Sequence, residues 1–149
     1  MSDRSRIEST IAPHPALTSS VSESAEISRV LGDYLLAWHS ARPERMARAL
    51  HPALIKRRID HERESGPPYL RTLRFDEMIA ATEAGLGLNL NLSLAEIDVR
   101  VLCVSGEIAS AVVVSPDWID LVHLINDGRV WRVLDVVYRR RDDPLQTQP

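Results

Sequence analysis

Apolar residues recur along this chain with two periods, and the change from one to the other divides it. Between Val21 and His39, Ile27, Val30, Leu31, Tyr34, Leu35 and Trp38 fall three or four apart. One stripe at a period of 3.6 predicts an amphipathic helix, and Ser20 with Glu23 supplies a capping box at its start. A second, short helix is predicted from Pro43, a residue suited to the first helical position. Met46, Ala47, Ala49 and Leu50 form its apolar face, and Pro52 is expected to end it. Ala53 to Asp60 then reads as a strand, His61 to Pro68 as a charged loop and Tyr69 to Leu73 as a short strand. Phe75, Met78, Ile79 and Thr82 mark a third helix, with Asp76 and Glu77 in the first turn where the helix dipole favours them and Gly85 just past its end. From Gly85 to Leu94, Leu alternates with Gly, Asn or Ser. The alternation suits a strand and the residues between the leucines suit a loop, so both readings stay open.

Beyond this segment the period is two. Four β runs follow: Ile97 to Val104, Glu107 to Ser115, Trp118 to Asn126 and Arg129 to Arg139. Ser105-Gly106, Pro116-Asp117 and Asp127-Gly128 are short turn signals, so the runs are expected to form an antiparallel meander. Helices first and strands later indicate an α+β fold. Both faces of the last two runs are apolar in places. Helices cover one face of a sheet, and a second copy of the chain is the simplest cover for the other. A homodimer through the sheet face is therefore expected.

Composition narrows the function. The chain has 149 residues, 44% of them hydrophobic and 26% charged, the balance of one soluble domain. Ser- and Thr-containing residues 1–20 and the last eight residues, 142–149, read as flexible tails around a domain spanning 21–141. The 18 basic residues against 21 acidic ones give a net charge of −3, which argues against nucleic acid as a partner. Only one basic residue, Lys56, is a lysine; the other 17 are arginines. No apolar run is long enough to span a membrane, and the first twenty residues lack the apolar core of a secretory signal. A cytoplasmic location is the default expectation. Cys103 stands alone, which rules out an internal disulfide, and the histidines have no metal-ligand spacing, so no metal or cofactor is expected.

Several runs together suggest a family. They are Tyr34-Leu35-Leu36-Ala37-Trp38, Met46-Ala47-Arg48-Ala49-Leu50-His51-Pro52, Ile108-Ala109-Ser110-Ala111, Asp117-Trp118-Ile119-Asp120 and Asp127-Gly128-Arg129-Val130-Trp131-Arg132-Val133. In this order and spacing the chain resembles the nuclear transport factor 2-like superfamily, which includes ketosteroid isomerases and SnoaL-like polyketide cyclases. Within it the chain looks most like the family described as putative lumazine-binding. The resemblance implies a cone-shaped α+β barrel, with N-terminal helices packed on a curved antiparallel sheet and a ligand held inside the cone. It does not by itself imply lumazine binding, because fold does not fix function.

A pocket of that kind would draw on Tyr34, Trp38, His51, Trp118, Asp120, His123, Trp131 and Asp135. Strand alternation lets only part of this set face inward. The resemblance places Tyr34 where isomerases of this fold keep an oxyanion donor; as a residue on an apolar stripe it reads first as core aromatic with a locally satisfied hydroxyl. The same resemblance puts the isomerase's carboxylate base at Arg58, a cation, with Asp60 two residues on. Asp120 and His123 are three apart on one strand and cannot pair; His123 with Asp135 across the last hairpin can. His51 is read as capping the second helix and Cys103 as inert core; Lys56-Arg57-Arg58, the densest basic run, reads as a solvated strand edge, with contact to an anionic ligand as the alternative.

Three functions compete. The first is a homodimeric binding domain for a small apolar or aromatic molecule. The second is an isomerase, dehydratase or cyclase with Tyr34 as donor and Asp60, Asp120 or Asp135 as base. The third is a protein-interaction module without a working pocket. Tyr34 and a carboxylate within about 6 Å in a cavity would favour the enzyme; a cone filled by Trp38, Trp118 and Trp131 would favour the module.

Overall fold

The computed structural model describes His14 and residues 20–141; the two predicted tails lie outside the described residues, apart from His14 and Ser20. Helix α1 (Val21–His39) opens on Ser20, whose side chain accepts a hydrogen bond from the Glu23 amide, and buries Ile27, Val30, Leu31, Tyr34 and Leu35. Helix α2 (Pro43–Ala49) begins on its proline. Strand β1 (Leu50–His61) follows without a break, then β2 (Pro68–Arg74) and helix α3 (Phe75–Glu83). After a loop and one 3-10 turn (Leu94–Glu96) come β3 (Asp98–Ser105), β4 (Ile108–Val114), β5 (Trp118–Asn126) and β6 (Trp131–Arg140).

The six strands form one sheet in the order β2-β1-β6-β5-β4-β3. The meander β3 to β6 is antiparallel as expected, but β1 runs parallel to β6, so the sheet is mixed. A parallel pair requires a long crossover, and here β2 to β5 all lie between the two partners. Register shifts interrupt β1 against β6 at Leu50/Ile55, β3 against β4 at Val101/Cys103 and β5 against β6 at His123/Leu124. Such bulges bend strands and increase twist, giving a curved, open sheet. All three helices pack on one face, where Met46, Leu54, Met78, Val113, Val122, Leu124 and Val136 fill the core.

Three local expectations change. Pro52 lies within β1 rather than ending the helix. The β1–β6 register is interrupted there, so its missing N–H costs no ladder bond. Residues 85–94 form no strand: the loop folds back on α1, with the Asn89 amide bonded to the His39 carbonyl at 2.8 Å. Cys103 sits on the face away from the helices, half-buried, 3.0 Å from the Ser110 hydroxyl.

Candidate functional site

The concave face of the sheet, α1, α3 and the loop after α3 enclose a cavity of about 150 Å³. Each element contributes through its own period. Tyr34, Leu35 and Trp38 come from the inner stripe of α1, Met78 and Ala81 from α3, and Leu86 from the loop. Lys56 and Arg58 alternate inward on β1, Arg71 and Leu73 on β2, Trp118 and Asp120 on β5, and Tyr138 on β6. Gly87 closes one corner: a Cβ built there would overlap the indole of Trp38.

Three polar groups meet in the wall. The Tyr34 hydroxyl donates to Asp120 Oδ2 at 2.9 Å, and Lys56 Nζ donates to the Tyr34 hydroxyl. Lys56 Nζ lies 3.5 Å from the same carboxylate oxygen, and both side chains are buried, at 10% and 6% exposure. The ammonium also sits over the Tyr138 ring, 4.3 Å from its centroid, and 5.1 Å from that of Tyr34. Burial, followed by the Asp120 charge, holds the Tyr34 phenol well above its ordinary range, so it stays protonated. Burial lowers the Lys56 ammonium despite the opposing pull of Asp120.

Toward the rim, Arg58 lies 5.3 Å from the Trp118 ring and 5.6 Å from that of Tyr138, and the two rings pack on each other at 5.4 Å. Arg58 and Arg71 are cross-strand partners, a repulsive pairing, and Asp60 relieves it with contacts of 3.0 and 3.5 Å. The His61 amide, then Arg58 and Arg71, hold the Asp60 carboxyl below its usual range.

Of the residues singled out in the sequence, the cavity gathers Tyr34, Trp38, Trp118 and Asp120. His123 and Asp135 do pair, at 3.4 Å, but on the opposite face of the sheet, where Arg57 joins them at 3.3 Å. His51 lies on β1 and accepts a hydrogen bond from the Ala53 amide instead of capping α2. Trp131 is buried beside Asp33, Arg45 and Ala49, away from the cavity. Simple alternation sets Trp131 and Val133 against Val136 and Tyr138; the bulge opposite His123 and Leu124 puts all four on one face.

Lys56 is the residue that sequence reading missed. Lys56-Arg57-Arg58 is not a strand edge, because β2 pairs outside it. The available signal was composition: the chain's single lysine stands at an inward position of β1. Among the described residues no cluster suits a metal ion, and no helix is long and apolar enough to cross a membrane.

The fold has known counterparts. An NTF2-like protein of unknown function from Silicibacter pomeroyi DSS-3 superimposes with a TM-score of 0.64 at 17% identity, covering 83% of this chain and all of the other. A second, from Shewanella baltica, gives 0.61 at 19% identity over 83% of this chain and 97% of the other. A protein named as a putative scytalone dehydratase, from Novosphingobium aromaticivorans, gives 0.53 at 16% identity over 80% and 84%. At such identities the likeness is one of fold. No curated protein matches the sequence. The profile of the family described as putative lumazine-binding does match, over residues 22–139, which takes in all but the first residue of α1 and all but the last residue of β6. The chain is therefore a member of the putative lumazine-binding family, with the NTF2-like fold.

Proposed function

We propose that the chain binds a small aromatic molecule in the cavity between α1, α3 and the concave sheet face. One observation carries this: a space of about 150 Å³ walled by Trp38, Trp118 and Tyr138, with a buried polar cluster set into it. A cavity of about this size accommodates one benzene ring, so a single-ring compound fits and a three-ring one requires the wall to move. The aromatic groups supply contact area and the polar cluster supplies orientation. The test is a titration of tryptophan fluorescence and Tm with benzyl alcohol, lumazine and riboflavin. Benzyl alcohol is expected to quench the fluorescence and raise Tm, since any ligand of the native state stabilises it. Unchanged fluorescence and Tm at about 10 mM, far above a useful Kd for a cavity ligand, would overturn the reading.

A second reading, proton transfer to and from a bound carbonyl compound, has its own support. Tyr34 and Asp120 face one cavity at 2.9 Å, and the three tryptophans do not fill it. In that reaction Tyr34 is the donor and Asp120 the base; Asp60 is tied to two arginines and Asp135 lies on the far face.

We also propose that the far face joins a second copy of the chain. It exposes Ile59, Leu70, Leu121 and Val137. Beside Val137 and Leu121 lies the Arg57–Asp135–His123 strip, which carries both signs of charge. A twofold-related copy can match such a surface with itself.

A further inference from the structure

We infer that Lys56 is an amine nucleophile that forms an imine with an aldehyde or ketone bound in the cavity. This deepens the binding reading above and rests on it.

Four observations lead there. Seventeen of the 18 basic residues are arginines, and the single lysine is the one that faces the cavity. A guanidinium cannot be deprotonated, whereas a lysine in a desolvated site can become a free amine. Of the side chains that line the cavity, Lys56 alone carries a nitrogen able to act as a neutral nucleophile. Its two polar neighbours are those that imine formation needs: a carboxylate oxygen at 3.5 Å to hold the ammonium proton, and a phenol hydroxyl in contact to serve the carbonyl oxygen. The rings of Tyr34 and Tyr138 flank the amine at 5.1 and 4.3 Å, and its side chain is only 10% exposed, which limits the water able to hydrolyse the product.

The step balances on these groups. Lys56 passes one proton to Asp120 and becomes a neutral amine. Its lone pair forms a bond to the carbonyl carbon while the C=O π pair moves to oxygen. That oxygen takes the Tyr34 proton, and the phenolate recovers a proton from the new C–N nitrogen, leaving a carbinolamine. Asp120 returns its proton to the carbinolamine hydroxyl, the C–O bond breaks and water leaves. A protonated imine remains beside the Asp120 carboxylate. No oxidant or reductant is consumed.

The experiment treats the full chain with benzaldehyde and sodium cyanoborohydride, which fixes an imine as a benzyl amine, and maps the label by peptide mass spectrometry. The N-terminal amine is the internal competitor. Lys56 in the native protein is expected to be labelled at least about tenfold faster than the N-terminus, the advantage of an activated amine, and in urea that preference disappears. Label on the N-terminus alone, or equal Lys56 labelling in native and urea-unfolded protein, overturns the inference. Benzyl alcohol, which has the ring without the carbonyl, separates the two readings. If it quenches tryptophan fluorescence while benzaldehyde leaves Lys56 unlabelled, the cavity binds aromatics and the lysine is not a nucleophile. If it does not quench, the binding reading falls, and the labelling ratio still decides the chemistry.

Discussion

The Tyr34–Lys56–Asp120 cluster places an ammonium, a carboxylate and a phenol where little water reaches, and each depends on the others. Tyr34→Phe keeps the ring but removes an acceptor from Lys56 and a donor from Asp120. The expected loss is about 1–3 kcal/mol in urea unfolding at pH 7, the range for leaving buried polar groups short of a partner. Asp120→Ala removes the counter-charge and should cost more, about 3–5 kcal/mol, as when one partner of a buried ion pair is deleted. That deficit has a definite pH dependence. Burial lowers the Lys56 pKa from its ordinary 10.5, so between the lowered value and 10.5 the unfolded chain binds more protons than the native one. Stability therefore rises with pH in that window. Removing Asp120 takes away a charge that raises the Lys56 pKa, which widens the window. The gap in Tm between Asp120→Ala and the parent should narrow from pH 7 to pH 10; a gap that grows with pH would contradict this account of Lys56.

At the scale of elements, the sheet that carries the cavity is shaped by irregularities. The bulge between β5 and β6 brings Trp131 and Val133 into phase with Val136 and Tyr138, and the interrupted β1–β6 register lets a proline sit inside a strand. The loop after α3 is held by the Asn89 amide on the His39 carbonyl and by the His39 ring on the Gly87 carbonyl at 2.8 Å. Gly87 lies so close to the Trp38 indole that a side chain there must push the ring or the loop aside. Gly87→Ala should cost about 1–3 kcal/mol, the usual cost of overpacking, and shift the Trp38 emission as the wall moves. Gly106→Ala has no neighbouring atoms to meet, though its φ of +55° carries a local backbone cost. It should lower stability without changing tryptophan emission, which separates loss of the wall from loss of turn geometry.

For the whole molecule, one sheet serves two surfaces. The helices cover the concave face and form the core; among the described residues no helix packs on the far face, which keeps Leu121 and Val137 as register partners more than half exposed. Replacing both with Glu should convert a dimer at micromolar concentration into a monomer in light scattering, while benzyl alcohol binding on the other face persists. A parent chain that is already monomeric under those conditions would remove the basis for the dimer.

The helices, the four-strand meander and the inward aromatic stripe of α1 were legible in the sequence, because each rests on periodicity and turn residues within a few positions of one another. Tyr34, Trp38, Trp118 and Asp120 could be named for the same reason, as residues on the faces those periods define. The parallel pairing of β1 with β6, the bulge that turns Trp131 toward the core and the far-side placement of His123 and Asp135 were not legible, because register between distant strands leaves no local trace. Lys56 shows the division most clearly. Composition marks it as the single lysine among arginines, but only packing of β2 outside β1 turns a basic run from a solvated edge into one buried amine against Tyr34 and Asp120. Local chemistry was written along the chain; which groups share one cavity was decided by contacts between residues 22, 64 and 86 positions apart.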